Sequence, residues 1–419
     1  MTQLPKPTPP SDVRPTDPAP TTRLISVAEA QARLLAAVAP LAELEMVPLE
    51  RALGRVLATS LVTTRNVPST DNSAMDGYAL RAADFEAAGR TLPIAGRAAA
   101  GERPTTLAAR TAMSIFTGAV IPEGADAVVP IEDVEIEAGA IRATKGVAAG
   151  ANVRRAGEDL KVGDEVLAAG RRLRPQDLGA AASVGAARLE VRRAPRVAVL
   201  VTGDELVAPG EDPEPGQLFD GNGPMLAAVL TALGADVTRV ARVRDDLGAT
   251  VAALRTAAAD ADLVLTSGGV SVGEEDHVKA AVRALGQIEI WKVAVQPGKP
   301  IGFGRVAGVP WLGVPGNPVS SLVTLLLFGV PLVRRLQGRT PGAPAAVPVA
   351  AGFARERANR REEYVRVAVR DGRLTPYPHQ GSGVLRSTVW ADGLARIPAG
   401  ALVADGDLLD FYSFAELLG

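Results

Sequence analysis

An apolar stretch typical of a strand leads into the sequence TSGGVSVGEED, from Thr266 to Asp276. This sequence contains a serine followed by two glycines and ends in three acidic residues. Glycines in a loop let backbone N–H groups approach an anion closely, as they do in phosphate-binding loops. Acidic side chains next to an anion repel it unless a cation lies between them. The stretch therefore predicts a phosphate-binding loop, formed by Ser267, Gly268 and Gly269, beside a bound cation.

The residues that must position this loop alternate between strand and helix patterns from Arg193 onwards. This alternation predicts a mostly parallel, doubly wound α/β domain over residues 193–340. In a parallel sheet the loops that follow the strands meet at one edge, where ligands bind. Besides the glycine loop, that edge is predicted to carry residues of TGDEL, RDD and VPGNP, namely Glu205, Asp245, Pro315, Gly316 and Asn317.

Three carboxylates are predicted at this edge, those of Glu205, Asp245 and Asp276. Each has an ordinary alternative, since Asp245 could be a helix N-cap and Asp276 a solvated loop acid. Their convergence on a phosphate loop nevertheless favours a Mg²⁺-bridged phosphate, because carboxylate oxygens are ligands that Mg²⁺ prefers.

Two lysines bracket a Pro-Gly turn in WKVAVQPGKPIGFG, Lys292 and Lys299. Alone, the turn fits an exposed hairpin as well as a binding site. Beside the glycine loop, Lys299 becomes a candidate anion ligand. Two further stretches, DNSAMDGYAL and FTGAVIPEGADAVV, lie outside the predicted sheet, and their residue pattern alone indicates only turn-rich strands.

The rest of the chain is predicted to form smaller parts. Ser26 is placed to cap an opening helix, and after the α/β domain the chain returns to strands. The expected organisation is a disordered tail over 1–23, a discontinuous helical and β linker domain over 24–60 and 152–192, a β-rich insertion over 61–151, and a C-terminal β domain over 341–419.

Composition limits the classes of function. The 45 basic and 47 acidic residues nearly balance, which argues against nucleic acid as the main partner. With no cysteine and two histidines, the chain offers few ligands for zinc or haem.

The longest apolar run, Val319 to Val333, is shorter than a bilayer requires and contains Gly329 and Pro331, which favours a buried helix. The N-terminus has no signal-peptide pattern, so a cytoplasmic protein is expected.

Nine motifs occur in a fixed order between Leu24 and Leu418: DNSAMDGYA, IFTGAVIPEGADAVV, NVRRAGED, VLVTGDEL, DGNGPML, TSGGVSVGEED, PGKP, LGVPGNPVS and QGSGVL. In these motifs the sequence resembles the MoeA proteins and the E domain of gephyrin, a family of molybdopterin molybdenumtransferases. The resemblance implies insertion of molybdenum from molybdate into adenylylated molybdopterin, with Mg²⁺-assisted cleavage of the phosphoanhydride and release of AMP. The absence of cysteine agrees, because the soft sulfur ligands of molybdenum would come from the pterin substrate.

The resemblance also implies roles for single residues. In this family the two walls of the site come from different subunits, so a homodimer is implied. Transient contacts with a molybdopterin adenylyltransferase and with recipient molybdoenzymes are expected as well. One wall would carry Asp76, Thr117 and Asp159, and the other Glu205, Asp245, Asp276 and Lys292.

The molybdate ligands implied by the resemblance are Ser271, Lys299, Arg361 and Ser382. Many relatives have a lysine where this chain has Gln296, so one positive charge near the oxyanion is missing. We therefore expect weaker capture of molybdate than in those relatives.

Two other readings compete with this one. The chain could be a scaffold of the same fold without chemistry, although a scaffold has no need of the acids Asp76, Glu205, Asp245 and Asp276. It could also be a nucleotide hydrolase of the competence-damage type, which uses only the domain with TSGGVS and would lack DNSAMDGYA and QGSGVL. The motifs favour the transferase.

Overall fold

The computed structural model describes residues 24–103, 106–270, 277–298, 300–340 and 345–418. The predicted tail, residues 1–23, lies outside these ranges. The chain divides into two units. The described residues of the first, which we call the α/β unit, are 24–40, 194–336 and 345–418. The second, which we call the nested unit, comprises residues 41–193 and 337–340.

Helix α1 (Val27–Ala36) opens the α/β unit. As its sequence predicts, Ser26 caps it, because the Ser26 hydroxyl accepts a hydrogen bond from the Glu29 N–H at 3.1 Å. The helix buries Val27, Ala30 and Leu34, which recur at helical spacing.

The nested unit is rich in short strands, as predicted for its central part. Its main sheet has the strand order β7-β4-β6-β5-β9-β8, and three two-stranded ribbons pair β1 with β12, β2 with β11 and β3 with β10. Its elements are β1 (Leu44–Pro48), β2 (Leu61–Val62), β3 (Asn72–Ser73), β4 (Gly77–Leu80), α2 (Ala82–Ala87), β5 (Thr91–Ala98), β6 (Ala112–Ile115), β7 (Ala127–Pro130), β8 (Val134–Glu137), β9 (Ala140–Ala143), β10 (Val153–Arg154), β11 (Glu165–Leu167), α3 (Pro175–Ser183) and β12 (Arg188–Arg192).

The central sheet of the α/β unit confirms the predicted fold class. Its strand order is β16-β13-β17-β21-β20-β18. The first four strands are parallel, β20 runs antiparallel to them, and β18, which is antiparallel to β20, runs in the same direction as the first four. Its elements are β13 (Arg196–Thr202), β14 (Leu206–Val207), β15 (Leu218–Phe219), α4 (Asn222–Ala232), β16 (Asp236–Val243), α5 (Leu247–Asp260), β17 (Leu263–Ser267), α6 (His277–Leu285), β18 (Gly286–Lys292), β19 (Val295–Gln296), β20 (Pro300–Val306), β21 (Val309–Val314), α7 (Pro318–Thr324) and α8 (Val330–Leu336).

Helices α7 and α8 form one continuous helix, joined by a π-helical turn at Leu325–Gly329. By length and composition alone it could cross a membrane, with 19 residues and a mean hydropathy of 1.6, but 89% of its most apolar window is buried. Pro331 has no N–H to donate to the carbonyl of Leu327, four residues earlier. The Gln31 side chain of α1 donates to that carbonyl instead, at 2.7 Å.

The C-terminal part of the α/β unit is a small β barrel, in agreement with the predicted C-terminal β domain. The strand order is β19-β23-β24-β22-β26-β25, and pairing of β25 with β23 closes it. Asp371 and Gly372 form the predicted hairpin turn, both with positive φ. Its elements are β22 (Val347–Ala351), β23 (Glu362–Arg370), β24 (Arg373–Pro376), α9 (Arg386–Trp390), β25 (Gly393–Ile397), β26 (Leu408–Ser413) and α10 (Phe414–Leu418).

Candidate functional site

A cavity of about 790 Å³ lies at the carboxyl ends of the parallel strands in the α/β unit. The loops after β13, β16, β17 and β21 all contribute to its walls. This is where ligands bind in open α/β sheets. Eight residues that the sequence places at this edge line the cavity: Glu205, Asp245, Ser267, Gly268, Gly269, Pro315, Gly316 and Asn317.

The Glu205 carboxylate lies against the backbone of Gly203. A Cβ atom on Gly203 would be 2.6 Å from Oε2 of Glu205, and Gly203 has a φ of +146°. Any larger residue at position 203 would therefore have to displace the carboxylate. The glycine of TGDEL thus leaves the space that Glu205 occupies at the cavity.

Asp245 is exposed on the loop after β16, and its backbone is held by a second acid. The Asp245 N–H donates to Oδ1 of Asp204 at 3.0 Å. The N-cap of α5 is the next residue, Asp246, which accepts from the Ala249 N–H at 2.7 Å. Because Asp246 makes the cap, the Asp245 carboxylate is not needed to start the helix. The sequence did not single out Asp204.

The two glycines of the loop, Gly268 and Gly269, pack closely against neighbouring residues. The Gly268 N–H donates to the Val314 carbonyl at 3.1 Å, so a neighbouring strand already engages this donor. Both glycines have positive φ, and a Cβ would be 2.6 Å from Oγ1 of Thr202 at Gly268 and 2.2 Å from Val278 at Gly269. Only glycine fits either position.

Ser267 is buried, and its hydroxyl belongs to a network beneath the cavity. It accepts from Nδ2 of Asn222 at 3.0 Å and lies 3.3 Å from both the Pro315 carbonyl and the Ser321 hydroxyl. Asn222 also donates to the Gly316 carbonyl at 2.7 Å. Asn222 thus joins the loops after β17 and β21. Its only signal in the sequence is its place in DGNGPML, at the start of α4.

A loop of the C-terminal barrel reaches the same cavity, with Gly383 and Leu385 in its lining. The carbonyl of Ser382, a predicted molybdate ligand, accepts from the Val319 N–H near the start of α7 at 3.0 Å. This contact satisfies a donor that the first helical turn would leave unpaired. The structure therefore brings the QGSG loop to the edge of the sheet.

Arg361 lies beside Gln296, the position at which this chain departs from the motif. Nη2 of Arg361 donates to Oε1 of Gln296 at 2.5 Å, and Nδ2 of Asn359 donates to the same oxygen at 2.8 Å. A lysine at position 296 could not accept either hydrogen bond. Gln296 and Arg361 are therefore a hydrogen-bonded pair, a contact that the sequence did not indicate.

Lys292 ends the antiparallel edge strand β18, where it pairs with Pro300, a residue of the cavity wall. Three other predicted site residues, Ser271, Asp276 and Lys299, lie outside the described residues. Among the residues that the structure describes, no group of three histidine or acidic side chains is arranged to hold a metal ion. Of the three predicted metal ligands Glu205, Asp245 and Asp276, the structure therefore describes the first two, and both line the cavity.

The predicted wall of the nested unit centres on Asp76 and Thr117. Oδ1 of Asp76 accepts from the Thr117 N–H at 2.7 Å and from the Thr117 hydroxyl at 2.9 Å. Both bonds lower the pKa of Asp76 below its usual value, and the bond from the backbone N–H has the larger effect. Asp76 is exposed and therefore presents a stable negative charge at neutral pH.

Asp159 lies on a neighbouring segment of the same unit. Its N–H donates to the Val67 carbonyl at 3.0 Å. The segment that leads to it is held by Asp71, which accepts from the Arg155 guanidinium at 2.5 Å and from the Ala156 N–H at 2.8 Å. The motifs DNSAMDGYA and NVRRAGED, separate in sequence, are thus in contact.

Three family models match successive parts of the chain. They are the MoeA N-terminal region (domain I and II) over residues 25–185, a probable molybdopterin binding domain over 198–335, and the MoeA C-terminal region (domain IV) over 348–414. These matches agree with the order of motifs along the sequence.

Two curated relatives are named molybdopterin molybdenumtransferase. The protein of Haemophilus influenzae is 40% identical over 322 residues, which cover 75% of this chain and 78% of the relative. The protein of Synechococcus elongatus is 39% identical over 397 residues, covering 90% and 96%. The crystal structure of the molybdopterin biosynthesis moeA protein from Pyrococcus horikoshii OT3 has a TM-score of 0.83 at 27% identity, covering 94% of this chain and all of that one.

The fold, the family models and the relatives matched over most of their length agree: this chain belongs to the MoeA family.

Proposed function

We propose that this protein inserts molybdenum from molybdate into adenylylated molybdopterin and releases AMP. The observation that carries the proposal is the meeting of two carboxylates, Glu205 and Asp245, with the glycine loop in one cavity. Acids beside a phosphate-binding loop suit metal-assisted cleavage of a phosphoanhydride. The curated relatives named molybdopterin molybdenumtransferase support the same activity.

The donor set at the cavity fits Mg²⁺, because it consists of carboxylate oxygens and the chain has no cysteine. Glu205 and Asp245 would hold the ion, which when bound supplies positive charge to the phosphoanhydride. Gly268 and Gly269 line the same cavity, where the loop would face the phosphate group. Asp204 fixes the backbone of Asp245, so this carboxylate is positioned before substrate binds.

The proposed activity can be tested directly. On mixing the protein with adenylylated molybdopterin and Mg²⁺, we expect AMP release to depend on added molybdate. Chromatography of the nucleotide products measures the rate with and without molybdate, and with Mg²⁺ removed by a chelator. Equal AMP release in the presence and absence of molybdate would exclude coupled insertion and leave only a hydrolase.

We further propose that the active form is a homodimer in which two chains share each site. Asp76 and Thr117 lie in the nested unit, whereas Glu205 and Asp245 line a cavity of the α/β unit. The family resemblance assigns these two walls to different subunits. A cytoplasmic location and transient contacts with the adenylyltransferase and recipient enzymes are predictions from the sequence alone.

Subunit mixing tests the shared site. Asp76→Ala and Asp245→Ala should each be inactive, yet a mixture should recover about a quarter of wild-type activity, because half the dimers are mixed and each restores one of two sites. The exchange is verified with two affinity tags before activity is measured. No recovery in a verified mixture would show that each chain completes its own site.

Gln296 offers a test of the proposed molybdate position. Gln296→Lys adds a cation beside Arg361 and releases the guanidinium from the amide oxygen. We expect about tenfold lower molybdate for half-maximal activity, since a charge-assisted contact contributes about 1.5 kcal/mol or more. The dependence on salt should also steepen.

The matched control for this titration is Gln296→Met, which also releases Arg361 but adds no charge. We expect Gln296→Met not to lower the molybdate concentration for half-maximal activity, in contrast to Gln296→Lys. Coincident titration curves for wild type and Gln296→Lys at low ionic strength would place this position away from the oxyanion.

A further inference from the structure

We propose that the cavity contains a subsite for a flat heteroaromatic ring attached to a phosphate, formed by Leu206, Leu218, Phe219 and Leu385. We call these four residues the apolar rim; all of them line the cavity. The inference rests on the proposed function and deepens it, because it assigns the place where a ring of the substrate binds.

Two residues of the apolar rim are unusually exposed for their type, and the other two, Leu206 and Leu385, are partly buried. Leu218 is 62% and Phe219 52% exposed, although three other phenylalanines, Phe85, Phe303 and Phe328, are almost fully buried. A single exposed apolar residue is ordinary. Two adjacent ones that share a cavity with two further leucines form a contiguous apolar surface, which typically marks a binding site.

The rim is also held in place by the residues that form the polar part of the cavity. In the ribbon of β14 and β15, Leu206 pairs with Leu218, and the Leu218 N–H donates to the Glu205 carbonyl at 2.7 Å. On the other side, the Asp220 side chain accepts from the Gly223 N–H in α4 at 2.9 Å. Phe219 is thus fixed between Glu205 and the start of α4. A surface fixed in this way loses little entropy when a ligand binds.

The ligand must match both parts of one cavity. The carboxylates and the glycine loop suit a phosphate with its cation, and the apolar rim suits an uncharged flat group on the same molecule. At about 790 Å³ the cavity is within the range for ligands of this size. Adenine and the pterin of the proposed substrate share this chemistry, and both can stack on the face of Phe219.

The experiment is a calorimetric titration of the full-length protein with three probes: AMP, ribose 5-phosphate and 6-hydroxymethylpterin. Phe219→Ala should weaken binding of AMP or of the pterin by about 5- to 100-fold, the range typical of base stacking on an aromatic side chain. Phe219→Trp should retain it. Ribose 5-phosphate, which has no ring, should bind all variants alike, and the ring probe that is affected identifies which ring the rim receives.

Leu408→Ala serves as the matched control, because Leu408 is 71% exposed and is not part of the cavity lining. The proposal is overturned if neither ring probe binds the wild-type protein, or if Phe219→Ala binds both as the wild type does. It is also overturned if ribose 5-phosphate or Leu408→Ala shows the same loss. A changed oligomeric mass with unchanged ring binding would assign the rim to subunit contact. The titration involves neither molybdate nor turnover, so its failure is distinct from failure of the proposed reaction.

Discussion

Asp245→Asn is expected to lower the rate of AMP release by about a hundred- to a thousandfold, the usual effect of removing one group that stabilises transition-state charge. Asparagine keeps the shape of the side chain and leaves the bond from the residue 245 N–H to Asp204 intact. Because Asp245 is exposed, the loss of its charge should leave the melting temperature nearly unchanged. The rate is measured at saturating molybdate and Mg²⁺.

The neighbouring residue supplies a matched control for this prediction. Asp246→Asn removes the same charge one position later, but Asp246 acts as the N-cap of α5. Asparagine caps helices about as well as aspartate, so stability and activity should both stay near the wild-type values. Equal activity of the two variants would refute a specific role of Asp245 in holding the cation.

Arg366→Ala is expected to lower the free energy of unfolding by about 2–4 kcal/mol, the cost of a cavity together with buried acceptors left unpaired. Arg366 is 1% exposed and donates to the Ser387 hydroxyl at 3.1 Å and to the Gly381 carbonyl at 3.1 Å. Burial lowers the pKa of Arg366 to about 10, so the side chain is still charged at neutral pH. Urea denaturation of both proteins gives the difference.

The loop that Arg366 holds is the one that carries Ser382 to the start of α7. We therefore expect Arg366→Met, which nearly fills the space but donates no hydrogen bond, to raise the molybdate requirement even where the fold survives. Arg370→Met is the control on the same strand, because Arg370 is exposed and its ion pair with Asp392 is worth under about 1 kcal/mol. Its other contacts, a hydrogen bond to the Val369 carbonyl at 2.8 Å and a position over the Trp390 ring, also lie at the surface. A loss of stability for Arg370→Met equal to that for Arg366→Ala would show that burial of the guanidinium is not the cause.

The carboxylates and the glycine loop of the cavity were predictable from the sequence. Alternation of strands and helices fixes which loops share an edge, so Glu205, Asp245 and the glycine loop could be grouped without coordinates. What the alternation does not decide is which of two adjacent acids caps a helix. Asp245 and Asp246 differ by one position, and only the backbone conformation at the start of α5 separates them.

Contacts between distant segments were beyond prediction for a different reason. Asn222 joins two loops through partners 45 and 94 residues away, and nothing in its local sequence distinguishes it from an ordinary polar residue at the start of a helix. The pairing of Gln296 with Arg361 likewise spans 65 residues. Such contacts depend on how segments distant in sequence pack together, which periodicity does not report.

The order of the two units along the chain has a consequence for biosynthesis. Helix α1 is translated before the nested unit, yet the carbonyl that its Gln31 binds belongs to Leu327, 296 residues later. At about 5 to 20 residues per second, this partner emerges from the ribosome roughly 15 to 60 seconds after the helix. Throughout that interval the apolar stripe of Val27, Ala30 and Leu34 lacks the surface that later buries it, and it is available to chaperones. The residues of the nested unit wait a much shorter time for their partners to be translated, because all of them except 337–340 are contiguous in the chain.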